Sequence, residues 1–223
     1  MCWVLNSNNN ETILDALEKK SDKCLLSCVF IFIAFFLWSA FRPHDYVTWF
    51  LEVLPTMIAL PLLIFTHKKF PLTLLVYGLI LLHAIILLIG GHFTYAEVPI
   101  FNWLRDALAL DRNYYDRLGH FAQGFVPAMI AREILIRKHV ILGANWLFFI
   151  VCCISLSISA VYEFIEWWVA VGTGTAADAF LGTQGDIWDT QWDMFVALIG
   201  AFCAQLFLKT YHNQQLLMLD RKV

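Results

Sequence analysis

Charge is scarce in this chain. Asp, Glu, Lys and Arg make up 15% of its 223 residues, whereas soluble domains carry ~25%. That deficit excludes a globule solvated by water on all sides, because lipid must cover much of the surface. The net charge of −3 excludes a basic face for nucleic acid. No Pro-, Gly- or Ser-rich linker divides the chain, there is no internal repeat, and Asn8-Asn9-Asn10 is the one low-complexity tract. A single integral membrane domain over 1–223 follows, with an N-terminal segment 1–23, a bundle 24–210 and a tail 211–223. The six cysteines lack zinc or redox spacing, the adjacent pair Cys152-Cys153 included, and read as small packing residues.

Apolar mass is abundant. Hydrophobic residues reach 60%, with nine Trp and 19 Phe, and mean hydropathy is +0.67. A helix needs ~20 apolar residues to cross the hydrocarbon core, and six stretches qualify: 24–41, 47–66, 72–91, 114–136, 145–170 and 190–210. The first is followed by Arg42-Pro43-His44-Asp45 rather than a small-residue cleavage site, so a retained span is expected and not a signal peptide. Pro55 and Pro61 predict a kink in the second. The fourth and fifth carry polar residues at helical spacing, which implies stripes facing other helices rather than lipid. Between the third and fourth, Pro99 to Leu110 places Phe101, Leu104 and Leu108 opposite Asn102, Arg105 and Asp106, the pattern of a short helix lying in the interface. The expected fold is all-α: a polytopic membrane helical bundle of about six transmembrane helices plus that interfacial helix.

Lys and Arg set the orientation. With the N-terminus inside, Lys19, Lys20, Lys23, Lys68, Lys69, Arg132, Arg137, Lys138, Lys209, Arg221 and Lys222 are cytoplasmic, and Arg42, Arg105, Arg112 and Arg117 are outside. Gly172 to Asp189, on the outside, has neither Lys nor Arg. Both termini are therefore expected in the cytoplasm. Cys2, Cys24, Cys28, Cys152, Cys153 and Cys203 then all fall in inner halves, where no extracytoplasmic disulfide forms.

The residues a bilayer should exclude gather at the outer span ends. Span three ends in Gly90-Gly91-His92. Span four opens with Asp116 and His120, four apart on one face, extended by Gln123. Span five closes with Glu163 and Glu166, three apart. Span six opens with Asp186, Asp189 and Asp193, spaced three and four. Three helices thus each offer a polar stripe at similar depth, as in carboxylate and imidazole sites built inside helix bundles. Hard oxygens with one or two imidazoles suit Zn²⁺, Mn²⁺, Fe²⁺ or Mg²⁺, with His92, Asp116, His120, Glu163, Glu166, Asp189 and Asp193 as candidate ligands. Six carboxylates cannot all ionise at close range, so some are protonated or neutralised by a cation. The same seven residues with Asp186 in place of His92 are the candidate acid/base set. Arg112 and Arg117 are the only strong positive charges nearby in sequence, and a purely structural network of arginine-paired acids is the alternative.

Other polar residues read more plainly. His83 lies mid-span and is expected to bond to a neighbouring helix. Glu52, deep in span two beside a proline, is a candidate proton or substrate contact. His44, His67, His139 and His212 sit at span ends as interfacial residues, and Arg132-Glu133 is expected to snorkel and pair. Trp167-Trp168 falls where an aromatic belt belongs. Thr173, Gly174 and Thr175, followed by Gly182, suggest a flexible loop gating the site.

The segments GGHFTYAEVP, YYDRLGHFAQG, YEFIEWW and FLGTQGDIWDTQWDM resemble the YjdF family of bacterial inner-membrane proteins over nearly the whole chain. The resemblance implies a polytopic inner-membrane protein and brings no activity with it. More distantly, Asp116-Arg117-Leu118-Gly119-His120-Phe121, then Glu163 or Glu166, then Asp186 to Asp193 before Gly200-Ala201 resemble VanZ-like membrane proteins in order and spacing. Arg117 stands where those carry Lys, and Asp193 where they more often carry Asn. That resemblance implies an envelope lipid or its precursor as ligand.

Three functions compete. One is a membrane-embedded enzyme using these acids, with or without a divalent metal, on a lipid or lipid-linked envelope molecule at the outer leaflet. Another is a transporter or flippase coupled to protons or cations, which Glu52 favours and the lack of an inverted repeat disfavours. The third is a non-enzymatic envelope partner whose network only holds the bundle.

Overall fold

The computed structural model describes residues 7–173, 180 and 182–220. Its helices are α1 (Ser7–Ala40), α2 (Tyr46–His67), α3 (Leu74–Phe93), α4 (Pro99–Leu108), α5 (Tyr115–Arg137), α6 (Ala144–Thr173) and α7 (Asp189–Asp220), with one 3₁₀ turn at Tyr95–Glu97. Among the described residues there is no strand. The all-α, polytopic membrane bundle expected from the sequence is what forms.

Among the described residues five helices are long and apolar enough to cross a membrane: α1 from Asp22, then α2, α3, α6 and α7. The remaining long helix, α5, has 23 residues and so a length of ~34 Å, but Asp116, Arg117, Arg132, Glu133 and Arg137 hold its composition below theirs. Its position explains that polarity. α5 packs against α3, α6 and α7, and buries residues along its whole length from Tyr115 to Glu133. Its polar residues thus face other helices rather than lipid.

Local chemistry sets the helix starts. Asp45 caps α2 by accepting the Thr48 amide at 2.7 Å, and this bond holds the Asp45 carboxyl below its ordinary pKa. Thr73 caps α3 through Val76 N at 3.4 Å. Pro99 occupies the first turn of α4, where its missing N–H costs nothing. α1 and α7 run further than expected. No helix breaker separates Ser7 from Cys24, and the segment expected as a tail stays helical to Asp220. There Gln215 Oε1 accepts the Leu75 amide at 2.9 Å, and His212 and Leu216 are buried.

The tightest crossing is α5 on α7. A Cβ on Gly124 would lie 1.7 Å from the Ala197 carbonyl oxygen, and one on Gly200 2.2 Å from that of Phe121. Small residues let the two backbones touch, and Ala128, Met129, Ala201 and Ala204 continue the seam with Val76, Val151 and Cys152. This crossing sets Asp116 and His120 beside the start of α7 at one end, and Arg132 and Glu133 beside His212 at the other.

At the first, acidic end the termini of α1, α2 and α3 also meet. Ser39 Oγ donates to Leu88 O at 2.6 Å, and the His44 amide to His92 O at 2.9 Å. At the opposite end lie Lys68, Lys69, Arg132, Arg137 and Lys138. There the structure corrects the expected snorkelling pair: Arg132 and Glu133 are both buried, as is His212. Arg132 bonds His212 Nδ1 at 2.7 Å and Asn213 Oδ1 at 2.6 Å. Glu133 accepts from Thr73 Oγ1 at 2.7 Å, Arg137 at 3.0 Å and His212 Nε2 at 3.0 Å.

α4 carries no buried residue. Ile100, Trp103 and Leu108 are exposed, while Phe101 meets the Tyr115 ring at 5.2 Å. Asn102, expected on the outer polar face, instead turns inward and accepts from Asn113 Nδ2 at 2.8 Å. The exposed apolar side is suited to the membrane interface, and it flanks the acidic end.

Candidate functional site

The first turns of α5 place Asp116 and His120 one above the other, both buried. His120 Nδ1 lies 3.1 Å from Gln123 Oε1, which fixes the ring. Its Nε2 faces Asp116 Oδ1 at 3.5 Å and Asp193 Oδ1 of α7 at 3.7 Å. From α6, Glu163 Oε1 comes within 3.7 Å of Nδ1. Asp116, His120 and Asp193 each offer a donor atom, all within 4.8 Å of one another. The contacts at 3.5 and 3.7 Å are too long for hydrogen bonds. They are near the ~3.4 Å between two ligands each ~2.1 Å from a tetrahedral ion.

Two arginines organise the other half. Arg112 donates to Asp189 Oδ1 at 2.5 Å and to the Gly182 carbonyl at 3.0 Å. Arg117 donates to Asp193, to Asp189 at 2.6 Å and to Asp186 at 3.3 Å. Both reach Asp116 only at 3.6 to 3.7 Å. Asp189 and Asp193 are thus directly hydrogen-bonded by arginine, whereas Asp116 meets both guanidinium groups at longer ion-pair range and neither arginine pairs with Glu163. Asp116 Oδ2 and Glu163 Oε1 are buried with no hydrogen-bond partner among the described residues. A buried carboxylate oxygen left unpaired costs several kcal/mol, unless a proton or a cation meets it.

Neighbouring segments brace the site. Asn113 and Gln184 exchange two hydrogen bonds: the Asn113 amide donates to Gln184 Oε1 at 2.9 Å, and Gln184 Nε2 returns one to Asn113 O at 2.8 Å. Gln184 adopts a left-handed φ of 47° to do so. In the loop before α5, Tyr114 donates to Asp111 at 2.8 Å and holds that carboxyl below its ordinary pKa.

Of the residues expected at the site, Asp116, His120, Glu163, Glu166, Asp186, Asp189 and Asp193 meet at one end of the bundle. Glu166 is buried beside Glu163, within electrostatic range of His120. Asp186 precedes α7 rather than extending its face; it accepts the Trp188 amide at 2.9 Å. His92 is placed elsewhere. Its ring lies 4.4 Å from that of Trp38 and its Nδ1 3.1 Å from Ser39 O, so it joins α3 to α1. Glu52 is buried within reach of the Tyr95 hydroxyl and in electrostatic range of Asp116 and His120, which brings it to the edge of the site. Gly174 and Thr175 of the expected gate lie outside the described residues.

Comparison with known proteins agrees with this architecture. Residues 24–214 match the family model of predicted membrane proteins DUF2238. The chain belongs to that family. It is 52% identical over 180 residues to the inner membrane protein YjdF of Escherichia coli (strain K12), covering 81% of this chain and 86% of that protein. No solved structure matches. The family resemblance read from GGHFTYAEVP and YYDRLGHFAQG therefore holds.

Proposed function

We propose that this family member is a metal-dependent, membrane-embedded enzyme acting on a lipid or lipid-linked envelope molecule. In this reading it sits in a bacterial inner membrane with both termini cytoplasmic, and the acidic end lies at the outer headgroup boundary. The asymmetry of Lys and Arg supports that orientation, and the exposed apolar side of α4 supports headgroup depth. The distant VanZ-like spacing supports an envelope ligand by analogy alone.

One observation carries the metal. His120 Nε2, Asp116 Oδ1 and Asp193 Oδ1 converge at ion-sharing separations, beside two buried carboxylate oxygens that accept no hydrogen bond among the described residues. Their chemistry, carboxylate with imidazole, suits Zn²⁺, Mn²⁺, Fe²⁺ or Mg²⁺. Such an ion supplies a bound water of lowered pKa and polarises a phosphoryl or carbonyl oxygen. Gln123 orients the imidazole. Glu163, with its free Oε1, is placed to accept a proton. Arg112 and Arg117 hold Asp189 and Asp193 in register and present positive charge toward an anionic headgroup. Arg117 shares Asp193 Oδ1, so guanidinium and cation compete for that atom.

Elemental analysis of the purified protein tests this. Stoichiometric divalent metal that falls in His120→Ala supports the reading; trace metal, unchanged in that variant, contradicts it.

Glu52 favours a second reading, proton-coupled transport, because it is a deep acid within range of His120. Uptake into proteoliposomes that is indifferent to a proton gradient and to Glu52→Gln counts against it.

A further inference from the structure

α1 and α2 both pack on α3 yet their backbones scarcely approach each other. α2 rests on α3 as its one extensive neighbour, and Pro55 and Pro61 interrupt its hydrogen bonds. The result is a groove of about 510 Å³ between α1 and α2, floored by α3 and reaching Val126 and Ile130 of α5. Its walls are apolar, from Leu25 and Phe32 of α1 to Leu60 and Leu63 of α2. This volume falls within the range of ligand-sized cavities, ~300–1,000 Å³. It runs from mid-bundle to the end opposite the acidic cluster, where His67 and Lys68 form its mouth.

The mouth is built for an anion. Tyr77 Oη accepts the Leu72 amide at 3.2 Å and lies 2.7 Å from His67 Nδ1. In the tautomer in which the Tyr77 hydroxyl donates a hydrogen bond to Nδ1, the imidazole carries its proton on Nε2 and can donate it to an anion. Lys68 lines the mouth and is exposed, as is Lys69 next in sequence, and the exposed Lys23 lies two residues before the groove-lining Leu25, with Asp22 adjacent to it in sequence. Positive charge therefore rims a deep apolar slot, the arrangement that suits a phosphodiester with an attached hydrocarbon chain.

We propose that this groove binds one anionic phospholipid from the leaflet at the Lys68 end, with its phosphate on Lys68 and His67 and an acyl chain between α1 and α2. The site is separate from the acidic cluster and does not depend on its chemistry. α1 and α2 meet at the acidic end, where Trp49 packs on Phe36 and donates to Ser39 Oγ at 2.9 Å; the lipid fills the space between them toward the Lys68 end.

The test is native mass spectrometry of the full chain in detergent, titrated with dioleoyl phosphatidylglycerol or dioleoyl phosphatidylcholine. One phosphatidylglycerol should be retained, bound about tenfold more tightly than phosphatidylcholine. Lys68→Glu, at an exposed position, should abolish that preference, and Ala59→Trp, which fills the groove, should weaken both lipids. Equal binding of the two lipids by the unaltered chain overturns the proposal, as does a preference unchanged in Lys68→Glu. Unsaturated uptake of many lipids also overturns it. Should Ala59→Trp fail to fold, Lys68→Glu decides alone.

Discussion

His120 Nε2 stands 3.7 Å from Asp193 Oδ1 across the α5–α7 crossing, a separation set by backbones that touch at Gly124 and Gly200. Imidazole and carboxylate are held near one another without bonding, and Asp116 completes a three-sided space. The glycine contact at Gly124, about one helical turn from His120 and Asp193, thus sets how closely the two helices approach at the acidic end.

Glu163→Gln removes the charge of the proposed base and leaves the three central donors in place. Metal affinity should fall about 10- to 100-fold, the usual cost of losing a supporting group near an ion, with little change in apparent melting temperature. Competition with a graded chelator reads the first quantity, and thermal unfolding in detergent the second.

Arg117→Met strips a guanidinium from Asp189 and Asp193, both almost wholly buried. Uncompensated buried charge costs about 3–5 kcal/mol. Thermal unfolding should show the loss, and added divalent cation should restore part of it, because the same carboxylates then have a partner.

Glu133→Gln tests the opposite end. Glu133 and His212 are fully buried, so breaking their pair with Arg132 and Arg137 nearby should cost about 3–5 kcal/mol. Metal content should stay that of the unaltered protein. A loss of metal in this variant would mean that the two ends are coupled through the α5–α7 seam.

These contrasts show what was readable from residues alone. Length and hydropathy predict six spans; among the described residues five helices are long and apolar enough to cross, and the stretch expected as the fourth, 114–136, forms the more polar α5. The faces Asp116/His120 and Glu163/Glu166 follow from helical spacing, as does Asp189/Asp193 of the expected Asp186/Asp189/Asp193 face, Asp186 lying before α7. α5 was legible as a helix from its periodicity, while its place among α3, α6 and α7 depends on glycine contacts with distant partners. His92 was misplaced because its ring is claimed by Trp38, more than fifty residues away in sequence. Arg132 and Glu133 looked interfacial for the same reason: their partners Thr73 and His212 lie 60 and 79 residues from Glu133. Glu52 reaches the site because of how α2 leans on α3, which no local pattern records.

Asp45→Ala should destabilise α2 by about 1 kcal/mol through the lost cap. Since the Thr48 amide lowers the Asp45 pKa, the cap contributes fully above the unfolded carboxyl value of ~3.9 and is lost as pH falls through the lower folded one. Melting curves of both proteins should therefore converge in acid and separate by pH 6.

The central claim is that Asp116, His120 and Asp193 share a cation. Anomalous diffraction from crystals grown with Mn²⁺ or Zn²⁺, collected at the metal edge, tests it most directly. The account predicts one strong peak among Asp116, His120 and Asp193, absent in His120→Ala. Density there with no anomalous signal, and Arg117 still bonded to Asp193 in saturating metal, would contradict it.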